Sequence, residues 1–321
     1  MCTAVSFLSH DHYFGRNLDL EYNYQESVVI TPRNFPLPFR NTKTIQTHYA
    51  LIGAGIIRDD YPLYYDATNE FGLSMAALNF PGNAVYEGKA SYTVAPFELI
   101  PWVLSQCKNT DDALKLLKST TLSPISFSDA LPVTDLHWLL SDRQKSITVE
   151  PRKGGLMIRE NPVRVLTNNP PFEYHLHNLK NYLKLSENDP KNSFVPELDM
   201  RLFSRGMGGF GLPGDLSSPS RFVRAAFTLW HSTQPTDERR AVNQFFHILA
   251  AVCQQEGCVR VGDSYEKTVY SSCCNTGRGI YYYTTYNNRQ IRAVHLHRED
   301  LSATILTHYP MDQSLKIEEI N

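Results

Sequence analysis

The chain has 321 residues, of which 42% are hydrophobic and 20% are charged, a composition typical of a globular protein with a sizeable core. Its 31 basic and 33 acidic residues leave a net charge of −2, which excludes the basic surface that binds nucleic acid or an anionic membrane. The sequence shows neither an apolar run of about 18 residues nor a secretory signal, so we expect a cytoplasmic protein with small-molecule or protein partners.

The first eighty residues predict a series of strands, because β-favouring residues recur between turn signals. These strands are "CTAVSFLS", "YFGRNLDL", "ESVVITP", "YALIGAGII", "YPLYYDA" and "LSMAALNF". A helical block follows with "TVAPFELIPWVLSQC" and "TDDALKLLKS". Within its first helix, Pro101 predicts a kink or a break.

Strands return in "LHWLLSD", "SITVEP", "GLMIRE" and "VRVLTN", joined by short turns that suit antiparallel hairpins. Three helices follow, "FEYHLHNLKNYLKL", "SPSRFVRAAFTLW" and "DERRAVNQFFHILAAVCQQ". Ser218 is expected to cap the second of them and Pro219 to open it. The polar stretch Ser186–Leu216, rich in Pro and Gly, predicts a long loop. The last strands are "KTVYSSCC", "GIYYYTTY", "QIRAVHLH" and "ATILTHYP".

The order of strands, helices, strands, helices and strands shows no regular alternation of single strands and helices. It therefore predicts antiparallel sheets packed on each other with helices outside. No repeat or long linker divides the sequence, so we expect one domain over residues 1–321.

The opening "MCTAVSFLSHDHYFGRNLDL" places Cys2 directly after the initiator methionine. Aminopeptidases remove Met1 before a small residue, so we expect the mature chain to start at Cys2. In free peptides a thiol and an α-amine both titrate not far above neutral pH. A residue that carries both supplies a nucleophile together with its own base. The alternative is a small residue at a disordered chain end.

The first hairpin predicts a partner for Cys2. If its turn lies at Ser9 to His12, paired residue numbers sum to about 21, and Cys2 lies opposite Asp19. Asp19 would then hold the α-amine, and the alternative is an ordinary surface aspartate at a strand end. Arg16 falls on the opposite face of a regular strand, so its presence in the site requires a bulge near Asn17.

Two further patterns predict neither a nucleotide site nor a metal site. The segment "GMGGFG" (Gly206–Gly211) matches the dinucleotide-binding glycine pattern, but "LPGD" separates it from the next helix, which favours a tight turn or a loop that approaches a ligand. The pairs His175/His177 and His295/His297 lack an evident third ligand, so no metal is expected.

The remaining candidates indicate structure more than chemistry. The six cysteines contain no CxxC pair, so free thiols are expected. Cys273 and Cys274 are adjacent on a strand and are expected to be buried and inert. In "LTNNPPF", proline holds Asn169 extended at a strand-to-helix junction, and this segment alone indicates little about function.

Several of these segments together resemble one family. In order from Met1 to about Pro310, the chain reads "MCTA", "YFGRNLDLEY", "VVITPRN", "DDYPLYYDATNEFGL", "LNFPG", "LHWLLSD", "VLTNNPPF", "SRGMGGFGLPGDLSSPSRFVRAAF" and "GIYYYTTYNNRQI". This series resembles the choloylglycine hydrolase family, and within it the bile salt hydrolases. The resemblance implies an α+β fold of the N-terminal nucleophile hydrolase type, a four-layer αββα sandwich of two antiparallel sheets flanked by helices. It also implies a homotetramer without a cofactor that hydrolyses the amide joining a bile acid to glycine or taurine.

The resemblance assigns roles to matching residues. Cys2 is the expected nucleophile, which forms a thioester while its α-amine passes a proton to the leaving amine. Asp19 in "RNLD" positions that amine. Arg16 and Arg221 supply positive potential that favours the thiolate.

Further roles follow from the same resemblance. Asn79 in "LNF" helps form the oxyanion hole, and Asn168 in "LTNN" orients the nucleophile and the substrate amide. The expected substrate-binding residues are Leu18, Tyr24, Phe127 and Leu131. Phe127 stands where some relatives carry a smaller aliphatic residue, and Ala77 stands where glycine is usual, so the shape of the pocket differs from theirs.

Two alternatives remain at this stage. Penicillin V acylases of the same family share most of these residues but tend to carry tyrosine at the position of Asn79, so asparagine favours bile salts; other N-acyl amides, such as N-acyl homoserine lactones, belong to the same alternative. The second alternative is a non-catalytic protein that binds a ligand through the "GMGGFG" loop.

Overall fold

A computed structural model describes residues 1–87 and 92–321, which form two antiparallel sheets between two layers of helices. The predicted αββα sandwich is confirmed. No helix within the described residues is long and apolar enough to cross a membrane. The single domain over residues 1–321 stays a prediction.

The strands alternate with the helices in blocks, as the sequence predicts. The strands are β1 (Cys2–Leu8), β2 (His12–Leu20), β3 (Ser27–Thr31), β4 (Leu51–Arg58), β5 (Tyr61–Asn69), β6 (Ser74–Asn79), β7 (Tyr92–Val94), β8 (Thr120–Leu122), β9 (Leu136–Ser141), β10 (Ser146–Arg152), β11 (Gly155–Glu160), β12 (Val165–Leu166), β13 (Val259–Val261), β14 (Ser264–Asn275), β15 (Ile280–Thr285), β16 (Arg292–His295) and β17 (Thr307–Pro310). The α-helices are α1 (Leu99–Leu104), α2 (Thr110–Lys118), α3 (Phe172–Asn178), α4 (Ser218–His231) and α5 (Glu238–Ala250).

Sheet 1 has the strand order β12-β1-β2-β14-β15-β16, with β13 paired to β14, and sheet 2 has the order β11-β10-β9-β6-β5-β4-β3-β17. Helices α4 and α5 pack on sheet 1, and α1 packs on β5 and β6 of sheet 2. The two sheets meet where β1 and β2 contact β6. Because each sheet is covered on both faces, β1 and β2 are buried almost continuously instead of at every second residue.

Two helix predictions need adjustment. Pro101 is the third residue of α1. The first N–H groups of a helix have no carbonyl partner within it, so a proline there costs no hydrogen bond and the helix continues without the predicted break. Ser217, not Ser218, is the residue that flanks the start of α4. The predicted loop at Ser186–Leu216 is confirmed, since its regular structure is one short 3₁₀ turn at Met207–Gly209.

The turn of the first hairpin is one residue shorter than predicted. Leu8 pairs with His12 across a three-residue turn, and the register runs without interruption to the pair Cys2 and Leu18. The predicted pairing of Cys2 with Asp19 is therefore wrong. Asp19 lies opposite Met1 instead, and its N–H donates to the Met1 carbonyl at 2.9 Å.

The corrected register also changes the face on which Arg16 lies. Arg16 pairs with Ala4, two residues from Cys2, so it shares the face of Cys2 and Leu18. The predicted bulge near Asn17 is wrong, because the pairing of β1 with β2 passes Asn17 in regular register. The irregularity lies on the other side of β2, in β14.

His12 joins the two sheets through buried hydrogen bonds. Its Nε2 atom lies 2.9 Å from Ser6 Oγ, and its Nδ1 atom lies 2.9 Å from Thr276 Oγ1. Ser6 Oγ in turn lies 2.8 Å from Ser141 Oγ on sheet 2. Burial, together with the positive charge of Arg164, lowers the pKa of His12 to about 3, so this imidazole is neutral in the folded protein at neutral pH.

We predict that His12 destabilises the folded protein as the pH falls below about 6.5. The unfolded chain binds a proton there near that pH, whereas the folded protein does so only near pH 3, so the free energy of unfolding falls by up to about 1.4 kcal/mol per pH unit. Between pH of about 6.5 and about 4.5, the melting temperature of His12→Gln should fall less steeply than that of the wild type. The exposed control His308→Gln should keep the wild-type slope. Equal slopes for His12→Gln and the wild type would contradict this.

Candidate active site

Cys2 lies at the start of β1, is 3% exposed, and lines a cavity of about 390 Å³ between the two sheets. The cavity is closed on one side by the segment that precedes β9. The predicted binding residues all line it, namely Leu18, Tyr24, Phe127 and Leu131. Most of the other lining side chains are apolar, including Ile56, Leu63 and Ile125. The cavity is therefore suited to an apolar molecule that reaches a cysteine.

The alternation of the hairpin separates two groups of site residues. Cys2, Arg16 and Leu18 share the face that lines the cavity. Thr3 and Asp19 lie on the other face, where the side chain of Arg221 from α4 contacts them. The nucleophile candidate and Arg16 therefore face the cavity, while Asp19 and Arg221 lie on the side of the helical layer.

The side chain of Asn168, just after β12, connects these groups. Its Oδ1 atom accepts hydrogen bonds from the backbone N–H of Cys2 at 2.7 Å and from Arg221 Nη2 at 2.9 Å. Its Nδ2 atom donates to the carbonyl of Asn79 at 2.7 Å. These three bonds fix the orientation of the amide and tie the first residue of β1 to both α4 and the end of β6.

The backbone of Asn168 is held by two residues whose part the sequence analysis missed. Its N–H donates to Ser218 Oγ at 2.9 Å, and its carbonyl lies 3.0 Å from His175 Nε2. A carbonyl can only accept, so Nε2 carries the hydrogen. Burial lowers the pKa of His175 to about 4, which leaves it neutral at neutral pH. From the sequence, Ser218 is expected to be a helix cap and His175 belongs to a pair that is rejected as a metal site, so neither pattern indicates a contact with Asn168.

Arg221 is fully buried near the start of α4. Its Nη1 atom donates to the carbonyl of Cys2 at 2.5 Å and to Thr3 Oγ1 at 2.7 Å, and it lies 3.9 Å from Asp19 Oδ2. Its Nε atom donates to the carbonyl of Leu216 at 3.0 Å. Burial lowers the pKa of Arg221, and the carboxylate of Asp19 opposes that shift. Arg221 thus brings a positive charge to the backbone of the cysteine.

Asp19 is fully buried, so the alternative of an ordinary surface aspartate is wrong. Its Oδ1 atom accepts a hydrogen bond from Thr268 Oγ1 at 2.6 Å, while Oδ2 has no hydrogen-bond partner among the described residues. Burial raises the pKa of Asp19, and the charges of Arg221 and the chain terminus oppose this. The amine of Met1 forms an ion pair with Glu266 and donates to the carbonyl of Asp19 at 2.7 Å. Thr268 was not found by the sequence analysis.

Arg16 is also fully buried and lines the same cavity as Cys2. Its Nη1 atom donates to the carbonyls of Tyr65, at 2.9 Å, and Ala77. Its Nη2 atom has no partner among the described residues. Burial alone would lower the pKa of Arg16, but the nearby Cys2 thiol, Tyr270 and Asp66 raise it above its ordinary value. The guanidinium is therefore charged, and one of its buried nitrogens donates to no described residue.

Asn79 ends β6 and lines the cavity with an exposed side chain. Its carbonyl accepts from Asn168, while its own amide makes no hydrogen bond within the described part of the chain. The amide is thus free to donate to a developing oxyanion. The structure therefore brings together Cys2, Arg16, Asp19, Asn79, Asn168 and Arg221. Their catalytic roles stay predictions.

The other sequence candidates lie outside this arrangement. No group of three His, Cys, Asp or Glu side chains among the described residues is placed to hold a metal ion. In "GMGGFG", a Cβ atom on Gly208 would lie 2.1 Å from the carbonyl oxygen of Asn188, so close backbone packing requires glycine there. All six cysteines are free, and Cys273 and Cys274 are buried.

Comparison with known proteins identifies the family. The family model for linear amide C–N hydrolases of the choloylglycine hydrolase family matches residues 2–311. The chain belongs to this family. This choloylglycine hydrolase is 50% identical over 324 residues to the bile salt hydrolase/transferase of Lactiplantibacillus plantarum, with all of both chains covered. It is 37% identical to the bile salt hydrolase/transferase of Clostridium perfringens, again with both chains fully covered.

Solved structures agree with the family and with the fold. A variant of the conjugated bile acid hydrolase from Clostridium perfringens superposes with a TM-score of 0.92 at 34% identity, over 100% of each chain. The penicillin V acylase from Agrobacterium tumefaciens superposes with a TM-score of 0.76 at 18% identity, over 96% of this chain and 91% of the other. The second likeness shows the shared fold alone. The chain is thus an N-terminal nucleophile hydrolase in fold and a linear amide C–N hydrolase by family.

Proposed function

We propose that this enzyme hydrolyses the amide bond of glycine- or taurine-conjugated bile salts and releases the free bile acid and the amino acid. The observation that carries the proposal is the position of Cys2. Its side chain lines an apolar cavity, while its backbone nitrogen donates to Asn168 Oδ1 at 2.7 Å. The curated relatives that match over their full length are named for the same class of substrate.

The proposed nucleophile requires that Met1 be removed. With Met1 attached, the nitrogen of Cys2 is an amide and cannot act as a base. After removal, the same nitrogen becomes an α-amine beside Asn168 Oδ1, with Asp19 on the adjacent strand to hold its charged form. The amine and the thiol then belong to one residue at the end of the cavity.

The proposed reaction uses these residues as follows. The Cys2 sulfur attacks the amide carbonyl carbon, and the negative charge that forms on its oxygen is stabilised by the free amide of Asn79. The α-amine of Cys2 takes the proton of the sulfur during the attack and gives it to the leaving nitrogen, the C–N bond breaks, and a thioester remains. The α-amine then deprotonates water, which attacks the thioester. The C–S bond breaks, the bile acid is released, and the α-ammonium returns its proton to the sulfur. Arg16 lines the same cavity as Cys2, and Arg221 donates to the Cys2 carbonyl, so both bring positive charge to the residue that reacts.

The proposed binding residues supply an apolar surface for the steroid body. Leu18 lines the cavity from β2 and Tyr24 from the segment after it, and Phe127 and Leu131 line it from the segment before β9. Burial of apolar surface contributes roughly 25 cal/mol per Å². A large rigid acyl group therefore gains more from this cavity than a short one.

We test the nucleophile with Cys2→Ser and Cys2→Ala. Serine and alanine are small enough for Met1 to be removed, so only the sulfur is lost. Release of glycine and taurine from conjugated bile salts should fall at least about a thousandfold, with an unchanged melting temperature. The exposed control Cys258→Ser should keep wild-type turnover. Turnover retained in either Cys2 variant would refute the proposed mechanism.

The same assay separates the alternatives. A higher kcat/KM for penicillin V or an N-acyl homoserine lactone than for glycocholate would show that another N-acyl amide is the preferred substrate. Binding of bile salts without any release of amino acid would support a non-catalytic binding protein. The proposal expects the highest kcat/KM for conjugated bile salts.

We also propose that the chain forms a homotetramer in the cytoplasm. The six free cysteines fit a reducing compartment. The loop Ser186–Leu216 exposes large apolar side chains, with Phe194, Phe203 and Phe210 each more than 80% exposed, a pattern typical of a contact surface.

Sedimentation should therefore give the mass of four chains, and Phe203→Asp should lower that mass because it places a charge in the contact. Ile305→Asp, which is 71% exposed outside the loop, serves as the control and should leave the mass unchanged. A wild-type mass of one chain would contradict the assembly.

A further inference from the structure

The segment of residues 123–135, named here the cavity loop, joins β8 to β9 and forms much of one wall of the cavity that Cys2 lines. Ile125, Phe127 and Leu131 are among its lining residues. The loop has no regular structure beyond a small bridge between Ser128 and Leu131, and most of its residues are exposed or half-buried. Something outside the loop must therefore fix the position of this wall.

Few hydrogen bonds connect the cavity loop to the rest of the described chain. At its ends, the N–H of Ser123 donates to the carbonyl of Val94 at 3.0 Å, and Tyr86 Oη donates to the carbonyl of Thr134 at 2.8 Å. For residues 124–133, the one hydrogen bond to a described residue outside the loop runs from Arg40 Nη2 to the carbonyl of Phe127, at 2.8 Å. Arg40 thus holds the middle of the loop.

Arg40 is itself fixed by a buried carboxylate. Its backbone N–H donates to Glu98 Oε1 at 2.7 Å, while the N–H of Ala95 donates to Glu98 Oε2 at 2.7 Å. Glu98 is 1% exposed, and Phe97 precedes it in the chain. The Glu98 carboxylate therefore fixes both the backbone of Arg40 and the turn that carries Phe97.

The guanidinium of Arg40 lies over two aromatic rings of the cavity wall. Its Cζ atom is 5.3 Å from the ring centroid of Phe127 and 6.0 Å from that of Phe97. The two rings meet edge to face with centroids 5.4 Å apart, and Tyr61 packs against both. Arg40 therefore holds Phe127 by its carbonyl and by its ring, through a charged hydrogen bond and a cation–π contact.

The wall that Arg40 holds separates two cavities. Phe97 and Phe127 line the cavity of Cys2 and also a second cavity of about 220 Å³. Arg40 lines the second cavity, together with Glu98, and not the first. If Phe127 moved, the first cavity would lose part of its wall and open into the second cavity, which Arg40 and Glu98 line.

We propose that Arg40 is a positioning residue that sets the wall of the substrate cavity through Phe127, and so determines how tightly an acyl group is held. The substrate part of this inference rests on the proposed function. Because Arg40 lies behind the wall and away from Cys2, its loss weakens substrate binding and leaves the chemical step unchanged.

The experiment compares Arg40→Met, Arg40→Lys and Arg260→Met with the wild type. Methionine keeps an unbranched apolar side chain and removes the charge and the donor; lysine keeps the charge and a donor. Arg260 is the matched control, since its Nε atom also donates to a backbone carbonyl, that of Gly262 at 3.1 Å, but on the β13–β14 hairpin. The first measurement is the rate of chymotrypsin cleavage after Phe127, identified by mass, which reports the loop without any turnover. The second is kcat and KM for glycocholate.

In Arg40→Met, cleavage after Phe127 should be several-fold faster, and KM should rise about tenfold with kcat within about twofold of the wild type. Arg40→Lys should keep a cleavage rate and a KM close to those of the wild type, and Arg260→Met should match the wild type in both. An unchanged cleavage rate, an unchanged KM, or a fall in kcat as large as the rise in KM would each overturn the proposal. If the wild type released no amino acid, the proposed function would fail, and the cleavage rates would still decide whether Arg40 fixes the loop.

Discussion

The site depends on one side-chain oxygen. Asn168 Oδ1 accepts from the nitrogen of Cys2 and from Arg221, and the amide nitrogen of Asn168 donates to the carbonyl of Asn79. These contacts join the first strand of sheet 1, the last residue of β6 in sheet 2, and the helical layer. The end of a chain is usually mobile, but here the first two residues are fixed by partners that are distant in sequence. The proposed nucleophile at the terminus is thus held in place by contacts with Asn168 and Arg221.

The junction also explains why three charged side chains are buried beside the hairpin. Arg16, Asp19 and Arg221 are each 0% exposed. Removing such charges from water is costly unless hydrogen bonds and opposite charges compensate. Backbone carbonyls, Thr268 and the mutual attraction of Asp19 and Arg221 supply most of that compensation. Two buried atoms, Arg16 Nη2 and Asp19 Oδ2, form no hydrogen bond with any described residue. Their side chains lie on opposite faces of β2, the strand that pairs with the strand of Cys2.

Much of the architecture could be predicted from the sequence, because strand and helix patterns and the absence of βαβ alternation are local signals. The register of the first hairpin could not, since it depends on whether the turn has three or four residues, and one residue moves every side chain to the other face. The errors on Asp19 and Arg16 both came from that single shift.

The site was harder to predict from residue patterns. Asn168 is an unremarkable loop asparagine until the fold brings Cys2, Arg221 and Asn79 to it, and those contacts span 53 to 166 residues along the chain. Ser218 reads as a helix cap, yet its hydroxyl bonds to the backbone of Asn168. Only the family resemblance supplied Asn79, Asn168 and the cavity residues. Arg40 gave no signal at all, because its part rests on tertiary packing against Phe127.

The central claim is that the freed amine of Cys2 takes part in catalysis, and intact-mass spectrometry combined with a turnover assay tests it most directly. Preparations with different fractions of retained Met1 should show activity in proportion to the fraction of chains that begin at Cys2. A preparation in which every chain keeps Met1 should release no glycine or taurine. Full turnover by chains that retain Met1 would contradict the account.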